Sequence, residues 1–162
     1  MTTIVYRDGI LAADSRVSYG SAIIPGTIRK VQRLSNGALY GFSGSVEVGE
    51  IMRRRVSKAS DEMAPLEDEV DLKGESFEAL IIQPDGGVLC FENRTWMEFK
   101  CPYIAMGSGR DFAYGALAMG ASAKQAIKAA AALDPGTGGR IVSLKAPYWE
   151  GKRSMCKVGV EK

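Results

Sequence analysis

A threonine follows the first methionine directly, at Thr2, and leads into the apolar pair Ile4-Val5. If Met1 is removed, Thr2 carries a hydroxyl and a free α-amine on one residue. An α-amine titrates at about 7.7–8.0, within the range useful to a general base at neutral pH. A hydroxyl activated by the amine of its own residue is one of the nucleophiles available to proteins. The competing reading is a strand edge without chemistry.

The 162-residue sequence has no histidine. That excludes Ser-His-Asp and Cys-His triads, histidine-ligated metals and imidazole acid–base catalysis. Any base must be a lysine, a carboxylate or an amine. Lys30 lies in the run Ile28–Leu34, where apolar and polar residues alternate, and shares the face of Ile28 by parity. Its stem points inward on that reading; otherwise it is a surface lysine. A buried lysine needs a carboxylate beside it, and Asp14, closing the apolar run Ile10–Ala13, is the natural candidate. Its bland reading is an ordinary turn aspartate. Gly107-Ser108-Gly109 looks like the start of a phosphate loop, but no Gly-Lys-Ser/Thr and no dinucleotide fingerprint completes it. The better reading is a tight turn before a helix, with Ser108 aimed at a partner.

Composition sets the frame. With 46% hydrophobic and 25% charged residues, residues 1–162 read as one domain with a real core. A net charge of +2 gives no reason to expect nucleic acid, and Arg53-Arg54-Arg55 reads as a solvated helix face. No apolar run is long enough for a membrane span, and the N-terminus lacks the parts of a signal peptide, so the expected location is cytoplasmic. Cys90, Cys101 and Cys156 are odd in number and far apart; they read as reduced thiols, and no metal or cofactor is expected.

The elements that must position these groups follow from pattern. Thr3–Tyr6 and Ile10–Ala13 flank Asp8-Gly9, a strong hairpin signal. A short strand Ala22–Ile24 closes at Pro25-Gly26; Ile28–Leu34 and Ala38–Ser43 follow, so the first 43 residues read as an antiparallel meander. A helix is predicted from Ser45 to Ser57, then a loop over Met63–Gly74. Phe77–Gln83 and Val88–Glu92 form a second hairpin, with strands Thr95–Phe99 and Tyr103–Met106 after it. A helix with Phe112, Gly115, Ala116 and Met119 along one face ends at Gly120. Ser122 caps the next, Ala123–Leu133. The loop Asp134–Gly139 leads to a strand pair, Arg140–Lys145 and Met155–Val160, joined around Pro147–Lys152. Helices do not alternate singly with strands, which argues for a layered α+β fold.

Six ordered blocks resemble one family. They are Thr2-Thr3-Ile4-Val5, Asp8–Arg16, Arg29–Leu34, Gly41-Phe42-Ser43-Gly44-Ser45, Ala105–Gly109 and Asp134–Gly139. Sixteen positions separate Asp14 from Lys30 and fourteen separate Lys30 from Gly44, as in proteasome β-subunits. The sequence is similar to proteasome β-subunits and the HslV-type peptidases, which are N-terminal nucleophile hydrolases. The resemblance implies a four-layer αββα sandwich, two antiparallel sheets between helices. It implies Thr2 as nucleophile, Lys30 as a fixed positive charge held by Asp14, and the Gly44 N–H as oxyanion donor. Ser108, Asp134 and Thr137 match the network that orients the amine; Thr3 is a secondary candidate. Ile28, Phe42 and Val46 fall where the family lines its main specificity pocket. The implied reaction is peptide-bond hydrolysis through an acyl ester on a peptide or unfolded-protein substrate, in a homo-oligomer served by an ATP-dependent unfoldase. A silent scaffold subunit and an amidase acting on small molecules are the alternatives.

Two departures bear on that comparison. Twelve positions separate Thr2 from Asp14. This is about four fewer than in proteasome β-subunits; taking two from each hairpin strand preserves side-chain parity, whereas an odd split turns Thr2 away. From Gly44 to Ser108 there is room for one helix and a loop before the strands resume, where the family has a pair of long helices that helps two rings pack; the Ser57–Gly74 stretch is the part that is shortened. A single ring, an open helical assembly or a smaller oligomer is therefore expected.

Overall fold

The computed structural model describes residues 1–58, 77–92 and 94–147. The loop expected over Met63–Gly74, the strand Met155–Val160, Cys156 and the connection beyond Pro147 lie outside the described residues.

Strands β1 (Thr3–Arg7) and β2 (Ile10–Ala13) form a hairpin in which Arg7 faces Ile10 and Ile4 faces Ala13. Asp8 and Gly9 turn it with φ of 49° and 72°. Positive φ at both central residues is the two-residue turn whose twist matches paired strands. β10 (Tyr103–Gly107) and β11 (Val142–Lys145) complete a four-stranded antiparallel sheet in the order β10-β1-β2-β11. A second antiparallel sheet runs β5 (Val31–Arg33), β6 (Leu39–Gly44), β7 (Phe77–Ile82), β8 (Val88–Glu92) and β9 (Thr95–Phe99). In the chain between β2 and β5, β3 (Arg16–Tyr19) and β4 (Ala22–Thr27) form a separate two-stranded ribbon.

The opening segment is therefore not one meander: its strands divide among three sheets. β4 continues through Pro25-Gly26, which an exposed edge tolerates, and every residue of it is exposed. The strand expected over Ile28–Leu34 contracts to Val31–Arg33. Lys30 and Val31 are both buried, so the alternation breaks where the chain turns from a polar site into the apolar core.

Alternation elsewhere divides the apolar residues among three clusters. Ile4, Tyr6, Leu11 and Ala13 meet Val31, Leu80 and Ile82 between the two large sheets. On the opposite face of β1 and β2, Val5 and Ala12 pack with Ala113 and Leu117 of α2 (Arg110–Ala118) and with Ala126, Ile127 and Ala130 of α3 (Ala123–Leu133). Beyond the second sheet, Tyr40, Phe42, Phe77 and Phe91 cluster with Val48 and Met52 of α1 (Val46–Lys58). α3 starts with a capping box, in which Ser122 Oγ accepts from Gln125 N and Gln125 Oε1 accepts from Ser122 N, satisfying two end donors.

The face of α2 singled out by Phe112, Gly115, Ala116 and Met119 is not its buried face. Phe112 and Met119 are exposed, and Ala113 and Leu117 are the buried pair. The sheet surface beneath is itself built of Ala12 and Ala105, so the helix lies close and has room only for small or well-fitted side chains.

Close approach is also required where α1 crosses β6. A Cβ placed on Gly49 would stand 2.4 Å from the Phe42 ring. Gly49→Val should therefore cost about 2–3 kcal/mol by overpacking, read as a lower urea midpoint at unchanged m-value. Phe42→Leu in the same chain should restore part of it. A Gly49→Val midpoint equal to wild type contradicts this packing.

Candidate active site

Asp14 ends β2 with a buried side chain that gathers four segments. Its carboxylate accepts from Thr3 N at 2.9 Å, Arg16 N at 3.1 Å, Gly138 N at 3.0 Å and Lys30 Nζ at 3.0 and 3.1 Å. Lys30 sits one residue before β5, its side chain 5% exposed and that of Asp14 0%. Burial lowers the Lys30 pKa from its ordinary 10.5, and the Asp14 charge and hydrogen bonds oppose that fall. Each ion is thus held inside the protein by the other, because either alone would be strongly disfavoured there.

Thr2 is buried beside this pair. Its hydroxyl donates to the Met1 carbonyl oxygen at 2.6 Å, and Lys30 Nζ donates to the same oxygen at 3.3 Å. The two functional groups thus share one acyl oxygen. Thr2 N donates to Ser108 Oγ at 3.3 Å, and Ser108 N donates to Thr2 O at 2.9 Å, continuing the β1–β10 pairing. Gly107 makes this approach possible: its φ is +89°, and a Cβ there would stand 2.0 Å from Thr2 O.

A second carboxylate organises the nitrogen side of Thr2. Asp134, at the end of α3, accepts from Ser108 Oγ at 2.8 Å, Thr137 Oγ1 at 2.6 Å and Gly136 N at 3.0 Å. Since Thr137 donates to Asp134, the hydroxyl of Thr3 donates to Thr137. Thr3 thereby joins the network through its side chain, and holds Asp14 through its backbone. Burial pushes the Asp134 pKa up, but donors from Thr137, Ser108 and Gly136 outweigh it, and the net value lies below the ordinary 3.8.

Gly44 ends β6 with φ of 105°, a conformation that favours glycine. It lies on the wall of a cavity of about 400 Å³ beside Met1, with Ser43, Gly107 and Ser108. Glu78, Arg110 and Asp111 complete that wall. Sequence reasoning missed these three. Glu78 depends on the register that sets it opposite Ser43, which no local pattern announces. Arg110 and Asp111 follow the Gly107-Ser108-Gly109 turn directly, and that was the available signal. The structure brings Thr2, Asp14, Lys30, Ser108, Asp134 and Thr137 into one network, with Gly44 on the adjoining cavity wall. It does not gather Ile28, Phe42 and Val46 around that cavity. Phe42 is buried, stacked between Tyr40 and Phe77 with centroids at 6.1 and 6.4 Å; Ile28 is half-buried and Val46 exposed.

The lowered Asp134 pKa fixes the sign of an acid-stability effect. Above 3.8 the group is charged in both states and its full contribution is present. As pH falls through that value toward the folded one, the unfolded chain takes up the proton first and stability is lost. Asp134→Asn should therefore flatten the acid limb of urea midpoint against pH; a limb as steep as wild type contradicts the assignment.

No family model matches the chain. Whole-sequence comparison does find relatives. The ATP-dependent protease subunit HslV of Aquifex aeolicus (strain VF5) is 33% identical over 133 residues, 71% of this chain and 75% of the relative. The subunit of the same name from Sulfurihydrogenibium sp. (strain YO3AOP1) is 31% identical over 133 residues, 71% and 74%. Among solved structures, Thiobacillus denitrificans BPH in complex with Epoxomicin superposes with a TM-score of 0.65 at 22% identity, over 90% of this chain and 98% of that one. A second structure of Thiobacillus denitrificans BPH superposes with a TM-score of 0.63 at 21% identity, over 90% of this chain and 97% of that one. These two support the fold, a mixed α/β structure with antiparallel sheets. A third of aligned residues in common with HslV, spread over three quarters of its length, places this chain in the proteasome β-subunit and HslV family of N-terminal nucleophile hydrolases, whose activity is that of a threonine peptidase.

Proposed function

We propose that Thr2, freed of Met1, is the nucleophile of this peptidase, and that Asp14, Lys30, Gly44, Ser108, Asp134 and Thr137 serve it. The observation that carries the reading is the Met1 carbonyl oxygen, bonded at once by the Thr2 hydroxyl and the Lys30 ammonium. A nucleophile and a fixed cation thus converge where an acyl group already fits.

With Met1 gone, the Thr2 nitrogen is an amine, held by Ser108 and through it by Asp134. The amine takes the Oγ proton, directly or through a water, as Oγ attacks the scissile carbonyl carbon. Lys30 lowers the cost of the developing alkoxide, and Asp14 keeps Lys30 charged. The carbonyl oxygen becomes an oxyanion that accepts from Gly44 N–H, a contact worth about 3–4 kcal/mol of transition-state stabilisation. The amine then passes its proton to the leaving nitrogen. An acyl ester remains on Thr2, and water, activated by the same amine, hydrolyses it.

The larger context belongs to the same proposal. Residues 1–162 form one domain, an αββα four-layer sandwich, and three clusters separated by two sheets support that order of layers. The chain acts in the cytoplasm as a homo-oligomer, ring or helical. No described helix is long and apolar enough to cross a membrane, and Tyr19, Ile23 and Met119 are exposed apolar side chains available to self-association. The two HslV relatives are named as ATP-dependent, which supports an unfoldase as partner and unfolded protein as substrate. A specific observation also favours a second reading. While Met1 stays attached, Thr2 N is a peptide amide donating to Ser108, so a chain that keeps Met1 has no base and is a silent assembly subunit.

Intact-mass measurement should show loss of Met1, and epoxomicin should add its mass at Thr2. Thr2→Ala should lose the adduct and lower peptide hydrolysis by at least about 10³-fold, and Lys30→Met should lower it by about 10²-fold or more. Wild-type hydrolysis rates from Thr2→Ala would sink the proposal.

A further inference from the structure

Thr2 and Gly44 belong to different sheets, and the reaction above needs them at a fixed separation. Thr2 leads into β1 of the first sheet, and Gly44 ends β6 of the second. Lys30 and Asp14 bridge the two sheets on one side of Thr2, since Asp14 follows β2 and Lys30 precedes β5. Glu78 makes a second bridge on the other side, and no step of the reaction uses it.

Glu78 stands in β7 directly opposite Ser43, the residue before Gly44. Its side chain, 17% exposed, crosses to the first sheet, where Oε2 accepts from Gly107 N at 2.9 Å. β10 is an edge strand, so it has backbone donors that face away from β1 and need a partner elsewhere. Gly107 N is such a donor. The next one, Ser108 N, points the other way, to Thr2 O at 2.9 Å. Gly107 leaves little room between the sheets, for a Cβ there would stand 2.0 Å from Thr2 O and 3.0 Å from Ser43 Oγ. The path from Gly44 to Thr2 thus runs through Ser43, Glu78, Gly107 and Ser108, by chain neighbours, one strand pairing and two hydrogen bonds. Arg110 steadies the link by donating to Glu78 Oε1 at 2.8 Å, so both carboxylate oxygens are engaged. A carboxylate accepting from a backbone N–H makes a stronger bond than a neutral oxygen would.

We propose that Glu78 is a positioning residue for catalysis, whose reach to Gly107 N sets the distance between the Gly44 oxyanion donor and the Thr2 hydroxyl. The inference rests on the threonine-peptidase reading and deepens it. Glu78 acts through Gly44 and Ser108, so its loss falls on kcat and leaves KM near its original value. Misplacing reacting groups by about 1 Å costs on the order of 10²-fold in rate.

Two conservative substitutions separate reach from charge. Glu78→Gln keeps the length and an acceptor for Gly107 N but loses the charge. Glu78→Asp keeps the charge and is one methylene too short to span to Gly107. With a fluorogenic peptide, Glu78→Gln should hold kcat within about threefold of wild type, and Glu78→Asp should lower it by about tenfold or more. KM should stay within about threefold in both, and the rate of epoxomicin adduct formation at Thr2 should fall in the same order as kcat. Wild-type kcat in Glu78→Asp, a larger loss in Glu78→Gln, equal losses in the two, or a loss carried by KM alone overturns the role. The wild-type chain reports separately on the peptidase reading. Wild-type turnover and adduct together with any of those results remove the role of Glu78 alone; a wild type that gives neither removes the peptidase reading and the role with it.

Discussion

The buried carboxylate of Asp14 holds the site together. It joins the start of β1 through Thr3, the chain leaving β2 through Arg16, the loop after α3 through Gly138, and the approach to β5 through Lys30. These contacts fix where two sheets and a helical loop meet, and they solvate an ion that water cannot reach. Removing one partner of such a pair leaves a bare buried charge, at a cost of about 3–5 kcal/mol. The ammonium that the chemistry needs is therefore also one that the fold needs.

The Asp134 network answers it from the other side of Thr2. Asp14 and Lys30 serve the hydroxyl side, and Ser108, Asp134 and Thr137 serve the nitrogen side. Thr3 ties the two together, with its backbone on Asp14 and its hydroxyl on Thr137. Backbone geometry makes the convergence possible. The Asp8-Gly9 turn sets the register that pairs Ile4 with Ala13, leaving Thr3 opposite Asp14. Gly107 lets β10 approach Thr2 without a side chain between them.

Much of this was legible in the sequence because it depends on local rules. Asp-Gly between apolar runs announced the hairpin, Ser122 announced a helix start, and the missing histidine narrowed the chemistry to amines and carboxylates. What failed depended on long-range packing. Periodicity could not tell which face of α2 meets an alanine-built sheet, nor that Lys30 leaves its strand to reach Asp14. Phe42 shows the same limit: its position matches a family pocket, yet the absent Cβ of Gly49 lets α1 close over its ring. Glu78 carried no signal at all, since only the pairing of β6 with β7 brings it to the cavity.

The central claim is that Thr2, once its amine is free, keeps its hydroxyl against a lysine fixed by Asp14. A crystal structure of the protein lacking Met1 measures this directly. Thr2 Oγ1 should lie within hydrogen-bond reach of Lys30 Nζ, about 2.7–3.2 Å, with Lys30 still paired to Asp14 and the Thr2 amine on Ser108. A Thr2 hydroxyl turned to the opposite face of β1, or a Lys30 withdrawn from Asp14, would contradict it.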